Sequence, residues 1–237
     1  GTPEAGENHL RRVLLALDEA GLLPSALHPI STSFGQFGVQ GWEILERVLA
    51  PWRGRLPILL SAPFGESARR GEQAASAIFD VWGGDAAILT PWVGRDFLNP
   101  FLARLPERGL FLYLRTPGQS AAHHLSDAPL EENTSSTPAP LLGLARGLRR
   151  SSLQGLGAVI GPQTLGDLAH LAATLSGEFA RVPKPLLVSG ANGTGLDLGG
   201  IAEALRLSAE ESRLFRVGLG LPILYARPSS PREDLVT

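Results

Sequence analysis

At 237 residues with 43% hydrophobic side chains, the chain is long enough for one large α/β domain with a substantial core. A formal net charge of −2 argues against a general binder of nucleic acid or anionic membrane, since both require a basic surface. Without cysteine there is neither a disulfide nor a thiol nucleophile, no apolar run reaches the roughly 18 residues of a membrane span, and no signal peptide is visible, so the expectation is a cytoplasmic protein.

In chain order, Gly1-Thr2 reads as a cloning remnant, which would make the chain a trimmed piece. Glu7–Leu23 reads as a helix, with Leu10, Val13, Leu14, Leu17 and Ala20 at helical spacing and Gly21 and Pro24 as the stop. Leu27–Phe34 is the first strand candidate, and a helix carrying Trp42, Ile44, Leu45 and Val48 follows it. From Leu56 the rhythm is regular: strand Leu56–Ala62, helix Ser67–Trp82, strand Ala86–Trp92, helix Arg95–Leu105, strand Leu110–Thr116. Pro117–Pro140 is rich in Ser, Thr, Pro and Glu, has little apolar area to bury, and is expected to be a mobile loop. Beyond it come helix Leu141–Leu148, strand Gly157–Gly161, helix Leu165–Leu175, strand Leu186–Ser189, helix Leu198–Leu207 and strand Phe215–Leu219.

Strands buried on both faces read as continuous apolar runs, so this alternation predicts a parallel α/β sheet. Two architectures fit: a (β/α)8 TIM-type barrel short of one strand, or a doubly wound open sheet. Even spacing favours the barrel, and no dinucleotide-binding fingerprint follows the first strand. The whole of 1–237 is expected to form a single domain.

Several residues invite a functional reading. Leu187-Val188-Ser189-Gly190-Ala191-Asn192-Gly193-Thr194-Gly195 is a strand entering a glycine-rich turn ahead of a helix, which could cradle a phosphate. With no basic side chain beside it, a tight turn is the simpler reading. His123-His124 has no carboxylate at ligand spacing, so no metal site is expected. Glu66 with Arg69 and Arg70 reads as a charge pair at a helix start, and Arg149-Arg150 as a solvated helix end. His28 is either a general base or a packed, hydrogen-bonded strand-end histidine. Trp92, beside Pro91 at a strand end, reads as a plug for a pocket.

Taken together, Asp85-Ala86-Ala87-Ile88-Leu89-Thr90-Pro91-Trp92-Val93-Gly94-Arg95-Asp96 with Pro100-Phe101-Leu102, the strand Phe111–Thr116, Gly157-Ala158-Val159-Ile160-Gly161 and Gly190–Asp197 resemble, in order and spacing, the orotidine 5'-phosphate decarboxylase family in its bacterial longer-form branch. The likeness covers about Leu27 to Ala226. It implies a (β/α)8 barrel, usually dimeric, with the active site at the C-terminal strand ends.

The resemblance breaks where that family's chemistry sits. Its Asp-x-Lys-x-x-Asp set, whose lysine protonates the developing carbanion, falls on Ser61-Ala62-Pro63-Phe64-Gly65-Glu66, so only Glu66 keeps a carboxylate. The lysine of the second strand falls on His28, and the glutamate of that segment on Gly35. The pyrimidine-recognising Ser-Asn after Thr116 falls on Pro117 and Gly118, the phosphate-loop glutamine on Thr194, and the phosphate arginine on Leu221. The single lysine of the chain, Lys184, immediately precedes a strand and so belongs to the face opposite an active site.

The expectation is therefore a barrel of that type without catalytic residues, His28, Ser61, Pro63 and Glu66 marking the degenerate positions. Thr116, Gly190, Gly193, Thr194 and Gly195 are vestigial ligand contacts, with no cofactor and doubtful nucleotide binding. The other open reading is an enzyme of altered chemistry on a phosphorylated ligand, using His28, Glu66 and Arg115. The first strand of the family fold has no counterpart before the first helix, and the last helix shrinks to Arg227–Thr237. A homodimer, a protein partner, or a segment such as Asp234–Thr237 is expected to cover the open barrel edge.

Overall fold

The computed structural model describes residues 2–61, 68–116, 139–161, 164–176, 182, 184–189, 198–205 and 215–218. Six strands form one sheet: β1 (Leu59–Ser61), β2 (Ala86–Leu89), β3 (Gly109–Arg115), β4 (Leu156–Ile160), β5 (Leu186–Val188) and β6 (Phe215–Val217). Every neighbouring pair is parallel and the strands lie in sequence order. Leu27 extends the sheet by one parallel bridge to Ile58. The described helices are α1 (Pro3–Glu19), α2 (Ser31–Gly35), α3 (Gly38–Leu49), α4 (Ala68–Ser76), α5 (Arg95–Leu102), α6 (Ala139–Arg150), α7 (Leu165–Ser176) and α8 (Leu198–Leu205).

The faces of the sheet decide between the two architectures. On one, Leu60, Ala87, Leu89, Leu110, Leu112, Ile160 and Val188 pack against Leu45, Ile78, Phe101, Leu148, Leu168 and Ile201 of the helices and the turn that extends α4. On the other, Leu59, Ala86, Ile88, Val159 and Leu187 pack with Ala26, Phe111 and Tyr113, none of which lies in a helix. A doubly wound sheet reverses its strand order and carries helices on both faces. Helices on one face, side chains on the other and strands in sequence order give a curled, incomplete (β/α)8 barrel. β2 and β4 are buried along their whole length, which is why they read as uninterrupted apolar runs.

Local chemistry moves several boundaries. α1 begins at Pro3 rather than Glu7, because the Thr2 side chain accepts the Ala5 N–H at 3.3 Å and caps the helix, with Pro3 in its first turn. Glu7 then sits inside the helix, accepting from Arg47 Nε and Nη2 at 3.0 and 2.7 Å and tying α1 to α3. Those hydrogen bonds hold its carboxyl below the usual range. The expected strand Leu27–Phe34 is reduced to the Leu27 bridge. Pro29 has no N–H for a ladder, and Ser31–Gly35 turns into helix. Ala86–Trp92 stops as a strand at Leu89, since Pro91–Val93 forms a 3-10 turn. The helix expected over Ser67–Trp82 passes at Ala77–Val81 into a wider π turn, whose end is held by the Arg53 guanidinium on the Trp82 carbonyl. No helix among the described residues is long and apolar enough to cross a membrane.

α4 and α5 cross in backbone contact. A Cβ at Gly71 would lie 2.4 Å from the Phe97 carbonyl oxygen, so this crossing needs glycine. Gly71→Ala is expected to lower unfolding free energy by about 1–3 kcal/mol in a denaturant titration. An unchanged midpoint would show that the two helices can part freely.

Candidate functional site

Parallel strands deliver all their C-terminal ends to one rim. There β1 ends in Ser61, β3 in Arg115 followed by Thr116, β4 in Ile160 followed by Gly161, and β5 in Val188 followed by Ser189, while the Leu27 bridge runs into His28. Side chains alternate across a strand. Because Ala26, Leu59 and Leu187 belong to the concave cluster, His28, Ser61 and Ser189 fall on the same side. The contacts agree: His28 Nε2 lies 3.1 Å from Ser61 Oγ, and the Tyr113 and Ser189 side chains hydrogen-bond to one another. Gly157 shapes the floor, since a Cβ there would meet the Phe111 ring and the Pro185 carbonyl oxygen at 2.7 Å.

The electrostatics of this mouth follow from burial. Desolvation pushes the His28 imidazole below its ordinary value of 6.5, so it is neutral at pH 7. Its Nε2 either accepts the Ser61 O–H or donates to Oγ, according to tautomer. Burial raises the Tyr113 hydroxyl above its ordinary value, partly offset by Ser189, and it too is uncharged. Arg115 is 6% exposed and is the cation of the described rim. A register shift between Tyr113 and Arg115 places it.

Ser31 escaped sequence reading. It is fully buried at the start of α2, and its Oγ donates to the Ser61 carbonyl at 2.9 Å, pinning the end of β1. The only available signal was its place in a Pro-x-Ser turn after a short apolar run.

Lys184 stands at the opposite end of the barrel, ahead of β5. It is 6% exposed and donates Nζ to the Leu153 carbonyl at 2.7 Å, in the segment that leads into β4. Desolvation lowers its pKa from the ordinary lysine value.

Of the sequence-predicted positions, the structure brings His28 and Ser61 into contact and leaves Thr116 half-buried beside Arg115. Pro63, Glu66, Pro117, Gly118, His123, His124, Gly190, Gly193, Thr194, Gly195, Leu221 and Asp234–Thr237 lie outside the described residues. Arg69 and Arg70 are exposed in the first turn of α4. Trp92 is not a plug: it is 48% exposed, on the 3-10 turn after β2. No cluster of three metal-ligating side chains occurs among the described residues.

The folded-state pKa of His28 lies below its unfolded value, which fixes the sign of a pH effect. Below about pH 6.5 the unfolded chain binds a proton that the folded chain does not, so stability should fall as pH drops, by at most about 1.4 kcal/mol per pH unit for this group. Denaturant midpoints between pH 7 and 5 should decline in the wild type and flatten in His28→Gln. Identical slopes in the two proteins would show that the buried imidazole is not the source.

No family model matches the chain. The orotidine 5'-phosphate decarboxylase of Roseiflexus sp. (strain RS-1) is 32% identical over 213 residues, which cover 89% of this chain and 72% of that protein. The protein of the same name from Herpetosiphon aurantiacus is 29% identical over 211 residues, covering 88% and 72%. Among solved structures, UMP synthase of Leishmania donovani superposes with a TM-score of 0.77 at 22% identity over 96% of this chain, which spans 47% of the synthase chain. Leishmania donovani OMP decarboxylase gives 0.74 at 21% identity, over 98% of this chain and 84% of that one. Those two likenesses concern the fold.

Proposed function

From the premise that this chain belongs to the orotidine 5'-phosphate decarboxylase family, we propose that it does not decarboxylate orotidylate and acts as a protein-interaction or scaffolding module. The observation that carries the reading is the position of Lys184. The family reaction needs a lysine at the C-terminal mouth to protonate a carbanion, and the single lysine here is buried at the other end on the Leu153 carbonyl. At the mouth, the positions that hold lysine and aspartate in the family hold His28 and Ser61, which are uncharged and satisfy one another. Removing one electrostatic clamp residue costs about 10²–10³ in rate, and here several are replaced together.

Among the described residues the sheet has two outer edges with no further strand beside them. The described sheet stops at the Leu27 bridge on one side and at β6 on the other. Strand edges of that kind pair readily with further chain. We assign the cover to a second copy of this chain or to another protein in the cytoplasm, with no nucleic acid and no membrane involved.

Calorimetry with orotidylate and with uridylate should give no heat of binding up to about 1 mM ligand, and orotidylate should be recovered unchanged. Sedimentation at micromolar concentration should find an oligomer. Turnover of orotidylate, or micromolar binding of either nucleotide, would overturn the reading.

A further inference from the structure

We propose that Ser61 and His28 form a nucleophile and general-base pair at the barrel mouth, acting on uncharged carboxylic esters with a small apolar acyl group. This goes beyond the scaffolding role and does not depend on it, since that role excludes decarboxylation rather than acyl transfer.

The geometry carries the assignment. A general base must lie within hydrogen-bond reach of the proton it removes, and His28 Nε2 is 3.1 Å from Ser61 Oγ. The two residues come from adjacent parallel segments, His28 after the Leu27 bridge and Ser61 at the end of β1, so their separation is set by strand spacing rather than by a flexible loop. Neither is sealed in: both are half-buried on the rim where barrels place their active sites. Ser31 fixes the Ser61 backbone at 2.9 Å, leaving the hydroxyl to answer to the imidazole. With the proton on Nδ1, the neutral ring presents Nε2 as acceptor, and burial keeps it in that form at pH 7.

Substrate class follows from the surroundings. The concave face presents the partly buried Phe111 ring with Leu59, which suits an apolar acyl group, and Tyr113 shares that face as a group able to donate to a developing oxyanion. In the forward step Ser61 Oγ bonds to the acyl carbon while its proton passes to His28 Nε2. The bond to the alcohol oxygen then breaks, and that oxygen leaves with the proton. Water, deprotonated by the same nitrogen, attacks the acyl-serine, releasing the acid and returning the proton to Ser61.

The full chain should be treated with an alkyl fluorophosphonate and with p-nitrophenyl acetate, and any adduct located by peptide mass mapping. The expected result is one adduct per chain, on Ser61, lost in Ser61→Ala and formed at least about 100-fold more slowly in His28→Gln, whose amide can keep a hydrogen bond but cannot act as base. Labelling of the wild type should rise with pH and level off by about pH 6.5, following the lowered imidazole value. Circular dichroism and melting of each variant separate loss of fold from loss of reactivity. If a variant does not fold, the adduct site and pH profile of the wild type decide alone. No Ser61 adduct beyond that of the denatured chain, equal labelling of His28→Gln, or a rate that climbs with hydroxide without levelling would each overturn the proposal. Orotidylate turnover bears on the scaffolding role and leaves this one standing.

Discussion

A polar side chain at a desolvated barrel mouth must find a partner or stay uncharged, because an unpaired charge there costs several kcal/mol. The hydrogen bond between His28 and Ser61 shows that constraint met. This chain holds there an imidazole kept neutral by burial and a hydroxyl at 3.1 Å. Tyr113 and Ser189 repeat the pattern on the far side of the concave face, again with uncharged groups in contact. In these two pairs the polar side chains answer one another, which offsets the cost of burying them.

The sheet divides its labour by side-chain alternation. The residues that weld strands to helices, among them Leu60, Ile88's neighbours Ala87 and Leu89, Leu112 and Ile160, point away from the mouth and pack on α3 to α8. Changes at Ser61, His28 and Ser189 leave that layer intact. Lys184 illustrates the reverse case. Its amine serves the N-terminal end of the barrel, linking the approach to β5 with the segment before β4 through one carbonyl. The shape of the barrel and the chemistry of its mouth can thus vary separately, since they draw on opposite faces of the same strands.

Much of this was legible in the sequence. Ala86–Leu89 and Gly157–Ile160 are buried on both faces, and their unbroken apolar character gave a parallel sheet and its spacing. The place of Lys184 at the end of the barrel opposite the mouth was legible too, from its position just ahead of a strand. Where reading failed, a local interaction outweighed the pattern. Leu27–Phe34 reads as a strand candidate, yet Pro29 removes a ladder donor and Ser31 finds a buried carbonyl partner in another segment, which no local pattern displays. Thr2 looked dispensable and caps α1. Trp92 looked like a pocket filler and stands half in solvent, because the 3-10 turn at Pro91 carries it off the strand line. The His28–Ser61 contact spans 33 positions and could be anticipated only as two suspect residues, not as a pair.

The central claim is that His28 and Ser61 form an uncharged, mutually hydrogen-bonded pair at the mouth of this barrel. NMR titration of the His28 imidazole tests it most directly, through the ring nitrogen and carbon shifts that report protonation and tautomer. The account predicts a neutral ring that takes up its proton only below pH 6.5. An imidazole that titrates at or above that value, as it would beside a carboxylate, would contradict the claim and restore an ionic site.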